Sequence, residues 1–465
     1  MAERLTVDAN FATEEQVGKS GLRREDFDSI AERAKAAHEG IQKARQEGKI
    51  QYLDLPRDDQ AAKAAKELGW DLARSYENLL VLGIGGSSLG AKALFTGLCH
   101  PFHNVLSAPP RMGARVFFPD NSDPATFAAL LHELDLKRTA VAAITKSGGT
   151  AETWAQLFII RDRIREAYGD PKKQIVAVTD PKKGALRAVA AQEGWRTLPV
   201  PPPVGGRFSV LTAVGLLPAA AAGIDVDALL AGAQEMVDRC QAPGIFENPA
   251  YLFAATLYLL DTRRGRRIHV FMPYADALRE TSDWFVQLWA ESLGKRAGAA
   301  DGSGAVGPSP IRAVGATDQH SLLQLLMEGP HDKAIAFVAV DRPRVDLTIP
   351  EEPTGQPDVD YLGGHTMHEL LSAEQRATAS ALAANGRPSL TVHLPSLDAR
   401  TLGQLMMLLE IATSFAGGLY GVDPYDQPGV EAGKRYTCGL LGRPGYEASK
   451  KELDQRPRAR PEWVV

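Results

Sequence analysis

From residue 79 to about 200, short apolar runs alternate with amphipathic stretches, a spacing that predicts strands joined by helices. Strands are predicted at 79–84, 115–118, 140–145 and 174–179, with helices near 88–97, 124–134 and 151–168. The runs are apolar on both faces and each leads into a helix, which predicts a parallel sheet covered on both sides. Four prolines at 199, 201, 202 and 203 break the pattern, a Gly-Gly turn follows, and a helix is predicted over 208–222. The alternation restarts with strands at 268–272, 334–340 and 389–394, and loops are predicted at 298–307 and 355–364. Residues 1 to about 60 are charged, with Leu22, Phe27, Ile30 and Ala34 near helical spacing, and predict a helical arm. The expected fold class is therefore α/β. It comprises an arm (1–65), a first α/β domain (66–224) and a second (225–465) that ends in a helical extension.

One stretch organises the first half, Leu79-Leu-Val-Leu-Gly-Ile-Gly-Gly-Ser-Ser-Leu-Gly-Ala-Lys92. An apolar strand stops at glycines, and a hydroxyl-bearing helix entry follows at Ser87. Gly85 and Gly86 let the backbone turn tightly and approach a ligand. The free N–H groups and positive dipole end of the helix suit an anion, most simply a phosphate. The spacing is not that of a P-loop, nor of a clean dinucleotide fingerprint. Taken alone, the same stretch is also often just a tight βα turn with no ligand.

Composition narrows the classes. The 465 residues are 44% hydrophobic and 23% charged, which suits a globular enzyme of two domains. A net charge of -5 argues against nucleic acid or an anionic membrane as the main partner. The three cysteines, Cys99, Cys240 and Cys438, form no CxxC, so neither a disulfide framework nor a zinc site is expected. The start, Met1-Ala-Glu-Arg, lacks a signal-type apolar core, and no apolar run is expected to reach membrane length. The cytoplasm is the expected compartment.

Five further constellations carry candidate chemistry. Ala143-Ile-Thr-Lys-Ser-Gly-Gly-Thr150 repeats the strand–glycine–helix form, bringing Thr145, Lys146, Ser147 and Thr150 to a helix start, with Thr150 also a plain N-cap candidate. Two hydroxyl-rich entries at the carboxyl ends of strands in one sheet point to a phosphate cradle. Val204-Gly-Gly-Arg-Phe-Ser209 holds Arg207 on a glycine turn at Gly206, where a guanidinium can steady a developing oxyanion. On the helix that follows Trp284, Gln287, Glu291 and Lys295 share one face, and Glu291 among Leu288, Trp289 and Leu293 is expected to be partly desolvated and a candidate general base. Otherwise these three form a solvated face with a Glu–Lys pair. His320 follows Thr317, a predicted N-cap, and Tyr425-Asp-Gln-Pro-Gly-Val-Glu-Ala-Gly-Lys434 places Gln427 in a turn and Lys434 about one turn into a helix. Read alone, His320 is a structural histidine and Lys434 a solvated lysine. His365 and His368 are read as polar surface, and no histidine pair stands out as metal-ligating.

In this order, from about residue 75 to 440, the motifs resemble the glucose-6-phosphate isomerase (phosphoglucose isomerase) family. The segments 204–209 and 425–434 and the Gln-x-x-x-Glu-Ser-x-Gly-Lys run at 287–295 carry the resemblance. It implies two sugar-isomerase domains, and a phosphate held by Gly86, Ser87, Thr145, Lys146, Ser147 and Thr150. It implies Arg207 as the enediolate-steadying group and Glu291 as the base between C1 and C2. His320 and Lys434 are implied for ring opening, with Gln287, Gln427 and Gly206 as nearby polar contacts. No cofactor or metal is implied, and the histidine is expected to cross a homodimer interface. Two departures stand out: Thr145 and Ser147 replace the usual Ser and Thr, and Pro202-Pro203 precede the Gly-Gly-Arg turn. Against this stand a sugar-phosphate-binding regulator of the same fold, an isomerase of another hexose phosphate such as mannose 6-phosphate, and a dinucleotide-binding oxidoreductase.

Overall fold

The computed structural model describes residues 4–107, 111–296, 304–457 and 459–465. Most of the glycine loop expected at 298–307 and the start Met1–Glu3 lie outside the described residues. The described chain forms twelve strands. β1 (Thr6–Asp8) precedes the first sheet, which contains β2 (Asn78–Leu82), β3 (Arg115–Phe117), β4 (Thr139–Ile144), β5 (Ile175–Thr179) and β6 (Arg196–Pro199). Its order is β3-β2-β4-β5-β6 and every pairing is parallel. Leu79 to Leu82 and Ala140 to Ile144 are fully buried, as central strands covered by helices on both faces must be. β6 escapes the apolar pattern because Arg196 and Thr197 are only half-buried; it is an edge strand ending in the proline run.

β7 (Ile268–Pro273) belongs to the second sheet, β8 (Lys295–Arg296) and β9 (Ala305–Val306) form a small antiparallel ribbon, and β10 (Ser309–Arg312), β11 (Lys333–Val340) and β12 (Ser389–Leu394) return to that second sheet. The order is β1-β12-β11-β7-β10, parallel except for β1, which runs antiparallel to β12 with Thr6 opposite His393. The N-terminal arm is thus not helical throughout: Thr6–Asp8 supplies an edge strand, and helices follow at Ala31–Gln46 and Asp59–Ser75. β10 was hidden by Pro310, which only an edge strand tolerates. The helix expected over 208–222 is shorter, a 3-10 turn at Gly206–Phe208 followed by Ala213–Ala221.

The core is threaded by one helix, Ala399–Tyr420, packed on the helices Val226–Arg239, Pro249–Arg264, Ala31–Gln46 and Arg279–Leu293. It corrects the expectation that no apolar run reaches membrane length: it has 22 residues and a mean hydropathy of 1.3 over its most apolar window. However, 94% of that window is buried inside the fold, which makes it a core helix. The backbones of two helices meet where Gly232 faces Arg400; a Cβ there would lie 1.8 Å from the Arg400 carbonyl oxygen.

This helix also carries Glu410, 0% exposed, with neither carboxyl oxygen hydrogen-bonded among the described residues. Burial pushes its pKa well above the usual carboxylate range. A carboxyl raised in the folded state leaves the unfolded chain to ionise first as pH climbs. Stability therefore falls between the unfolded and the folded pKa, by about 1.4 kcal/mol for each step of one pH unit. Glu410→Gln removes this loss. Its urea midpoint should exceed that of the wild type at about pH 8 and converge with it towards about pH 4; a gap independent of pH would show that Glu410 does not titrate on unfolding.

Candidate active site

β2 ends in the turn Gly83-Ile84-Gly85-Gly86-Ser87, a 3-10 turn over Gly85–Ser87, before the helix Leu89–Leu98. Gly85 has φ +57, and an added Cβ would meet Gln287 Nε2 at 2.9 Å. Gly86 is pressed on the turn that carries Arg207: a Cβ there would sit 2.3 Å from the Gly206 carbonyl oxygen. The Ser209 hydroxyl donates to the Gly86 carbonyl at 3.3 Å, tying the two turns together. Gln287 Oε1 is buried without a partner among the described residues, an acceptor left open beside the glycines.

β4 ends at Ile144, and the loop beyond it enters the helix Ala151–Tyr168. Thr150 stands at the N-cap position, but its hydroxyl makes no cap bond and pairs instead with Thr145 Oγ1 at 2.7 Å. Thr145 Oγ1 also lies 3.3 Å from Ser147 Oγ, so three hydroxyls cluster at a helix start whose N–H groups no side chain caps. Thr179, on the neighbouring strand, donates its hydroxyl to the Thr145 carbonyl and fixes the loop to the sheet. Lys146 turns its ammonium to the carbonyls of Pro202 and Val204, both at 2.7 Å. Burial lowers its pKa, with Asp180 pulling the other way. The unusual prolines before Arg207 are therefore held from across the sheet by a lysine of the hydroxyl loop.

Arg207 is the hub, 5% exposed. Its Nε donates to Ser292 Oγ at 3.0 Å, and Nη1 to Glu291 Oε2 at 2.8 Å and Gln427 Oε1 at 2.9 Å. Nη2 donates to the carbonyls of Pro424 at 3.0 Å and Asp426 at 2.9 Å. All five donors of the guanidinium are engaged. The side chain of Glu291 is 33% exposed and is not surrounded by apolar groups alone; its carboxylate joins the hub and opens onto a cleft of ≈ 960 Å³. The predicted Glu291–Lys295 pair is absent. The helix ends at Leu293, and Lys295, its side chain 9% exposed, clamps the 423–426 loop through the carbonyls of Asp423 and Asp426 and the Asp426 carboxylate. Behind the loop, Tyr425 packs on Phe208 and Tyr52, and the Tyr52 hydroxyl donates to Ser414 on the core helix at 2.7 Å.

The fold thus assembles Gly86, Gly206, Arg207, Gln287, Glu291 and Gln427, with the Thr145–Ser147–Thr150 hydroxyls joined to them through Lys146. Ser87 stands on the same turn as Gly86, half-buried. His320 and Lys434 are not brought to this group. His320 is exposed, at the end of the 3-10 turn Thr317–His320, with no hydrogen bond or ion pair among the described residues. Thr317 is not its cap: Ala316 holds that position, while the Asp318 carboxylate accepts from the Val314 N–H and the Ser321 hydroxyl. Lys434 lies in the first turn of Glu431–Leu440, its ammonium paired with Glu431 at 3.0 Å, and does not line the cleft. Sequence reasoning gave no role to Ser292 or Asp426 and read Lys295 only as a partner of Glu291, although Ser292 and Lys295 lie inside the quoted Gln-x-x-x-Glu-Ser-x-Gly-Lys run. Among the described residues no group of three His, Cys, Asp or Glu side chains is arranged to hold a metal.

Known proteins resemble this chain in sequence and in fold. A phosphoglucose isomerase family profile matches residues 69–455. The glucose-6-phosphate isomerase of Rubrobacter xylanophilus is 50% identical over 401 residues, covering 85% of this chain and 90% of that protein. That of Carboxydothermus hydrogenoformans is 40% identical over 452 residues, 97% of each chain. In structure, a hypothetical protein from Thermus thermophilus superposes with a TM-score of 0.83 at 36% identity, over 94% of this chain and all of the other (100%). A glucose-6-phosphate isomerase from Chlamydia trachomatis shares the α/β fold with a TM-score of 0.72 at 23% identity, over 85% of this chain and 76% of its own. By sequence and by architecture, this chain belongs to the phosphoglucose isomerase family.

Proposed function

We propose that this chain interconverts glucose 6-phosphate and fructose 6-phosphate through ring opening and a cis-enediol, the activity that its relatives' names carry. The observation that carries the reading is the Glu291 carboxylate set 2.8 Å from Arg207 Nη1 at the cleft. Moving a proton between adjacent carbons needs one base, one group to steady the enediolate oxygen, and no redox partner. Glu291 takes the proton from C2 of the open-chain aldose, keeps it, and returns it to C1, while the electron pair passes through the enediolate. The hydroxyls of Ser87, Thr145, Ser147 and Thr150, with the free N–H groups at two helix starts, hold the phosphate; Lys146 acts from the side, with two of its three donors already on carbonyls. Gln287, whose Oε1 is open, and Gln427 take sugar hydroxyls beside the glycines at Gly86 and Gly206.

His320 and Lys434 serve ring opening, and each needs something the single chain in this arrangement lacks. The exposed imidazole of His320, following edge strand β10, fits donation into a second copy's cleft, which makes the working form a homodimer with shared sites. Lys434 reaches the cleft if its helix moves inward; that helix is largely exposed, Leu440 and Leu441 among it and its end. We assign the chain to the cytoplasm and place its divisions at 1–65, 66–224 and 225–465.

Formation of glucose 6-phosphate from fructose 6-phosphate, read by coupled NADP reduction, tests the reaction. Turnover is the expected result; tight binding of the sugar phosphate without turnover would make the chain a regulator instead. Mannose 6-phosphate in the same panel decides the specificity.

A further inference from the structure

A second cavity, of ≈ 600 Å³, shares no lining residue with the cleft of Glu291. It lies at the carboxyl ends of β11 and β12, the end of a parallel sheet where ligands gather in doubly wound folds. Arg342 follows β11 and Ser396 follows β12, while Arg4 precedes β1, which starts at this end because it runs antiparallel to β12. The last turns of Val226–Arg239 add Glu235, Asp238 and Arg239, and the first turns of Ala399–Tyr420 add Arg400 and Gln404.

The charges here are unequally matched. Glu235 already accepts from Arg400 Nε at 3.1 Å and Gln404 Nε2 at 2.8 Å. Asp238 accepts from Arg57 at 2.9 Å and Gln234 at 2.8 Å, and Asp398 from the Thr401 N–H at 2.8 Å and Ser396 Oγ at 2.7 Å. Arg239, buried enough that desolvation lowers its pKa with Arg4 adding to the effect, donates to the Leu5 carbonyl at 2.8 Å. Neither Arg239 nor Arg4 has a carboxylate within ion-pair distance among the described residues. Arg239, half-buried and repelled by Arg4, is thus a guanidinium whose charge no carboxylate balances, and with Arg4 it makes a basic patch on the cavity wall. An independent feature stands on the same wall: Gln404 is 5% exposed and its Oε1 has no donor among the described residues. An anion alone leaves that acceptor empty, whereas a hydroxyl fills it.

We propose that this cavity binds a small polyanion bearing a hydroxyl, a phosphorylated or polycarboxylate metabolite, with its oxyanion groups on Arg4 and Arg239 and its hydroxyl donating to Gln404. The volume suits a ligand of that size. The helix Ala399–Tyr420 separates this site from the cleft: its 22 residues span about 33 Å, and Gly421 beyond its end lines the cleft. A ligand in one site therefore makes no contact with a ligand in the other.

The test is calorimetric titration of the full-length chain with two probes, citrate, which carries a hydroxyl, and pyrophosphate, which does not. Arg4→Gln and the double variant Arg4→Gln/Arg239→Gln should weaken both probes by about tenfold or more and leave fructose 6-phosphate turnover unchanged. Gln404→Leu should weaken citrate and spare pyrophosphate. Arg4 is exposed, so its single variant is informative even if the double variant folds poorly. Failure of both probes to bind the wild type at millimolar concentration, or equal affinities in wild type and Arg4→Gln, would overturn the proposal.

Discussion

Glu291→Gln is expected to lower kcat for fructose 6-phosphate by about 10³–10⁴-fold while KM stays within a few-fold of wild type, the range a lone proton-transfer group commands. The substitution isolates the proton chemistry because an amide keeps an oxygen where the carboxylate has one. Arg207 Nη1, now 2.8 Å from Glu291 Oε2, retains an acceptor, so the hub and the 424–427 loop behind it stay assembled. What is lost is a group able to accept a proton at C2 and return it at C1. Glu291→Asp should lie between the two, since it keeps the base but withdraws it by one methylene. The discriminating measurement is exchange of the C2 proton with solvent at equilibrium, which must vanish in Glu291→Gln together with turnover. Near-wild-type turnover in that variant would remove Glu291 from the role of base.

Most of this fold is written locally. The central strands are unbroken apolar runs, so 79–84 and 140–145 announce Asn78–Leu82 and Thr139–Ile144 to within two residues. The strands that escape notice are β1, β6 and β10, at sheet edges, and the two-residue strands β8 and β9 of the small ribbon; their short length, polar residues or proline reflect having only one neighbour and partial burial. The site divides the same way. Glycine turns after strands mark Gly86 and Gly206, because close backbone approach leaves no room for a side chain. The convergence on Arg207 is not readable, since its partners come from positions 291–292 and 424–427, which only packing brings together. Local rules also mislead. Thr317 and Thr150 have the right chemistry for caps, yet Asp318 takes the polar duties of one turn, and the hydroxyl of Thr150 goes to Thr145. Side-chain competition of this kind is settled by geometry rather than by residue type.

Arg207→Lys should cost both activity and stability: a fall in kcat of about 10²–10³-fold and a melting temperature lower by about a few degrees. The two effects arise from different edges of one guanidinium. Nε and Nη2 hold Ser292 and the carbonyls of Pro424 and Asp426, a structural duty that fixes the loop bearing Gln427. Nη1 faces only Glu291 and Gln427, both on the cleft, and is the one edge whose partners are side chains that a substrate oxygen can displace. With all five donors used, an enediolate gains stabilisation only by replacing one of these two acceptors. The exchange favours the negatively charged transition state over a neutral ground-state hydroxyl, which puts the benefit in kcat. A lysine keeps the positive charge but gathers its donors at one point and cannot span both edges. If the structural duty dominates, Arg207→Lys loses stability and KM together; if the Nη1 edge carries the chemistry, kcat falls far more than KM rises. Unchanged kcat in a folded Arg207→Lys enzyme would leave the enediolate to another group.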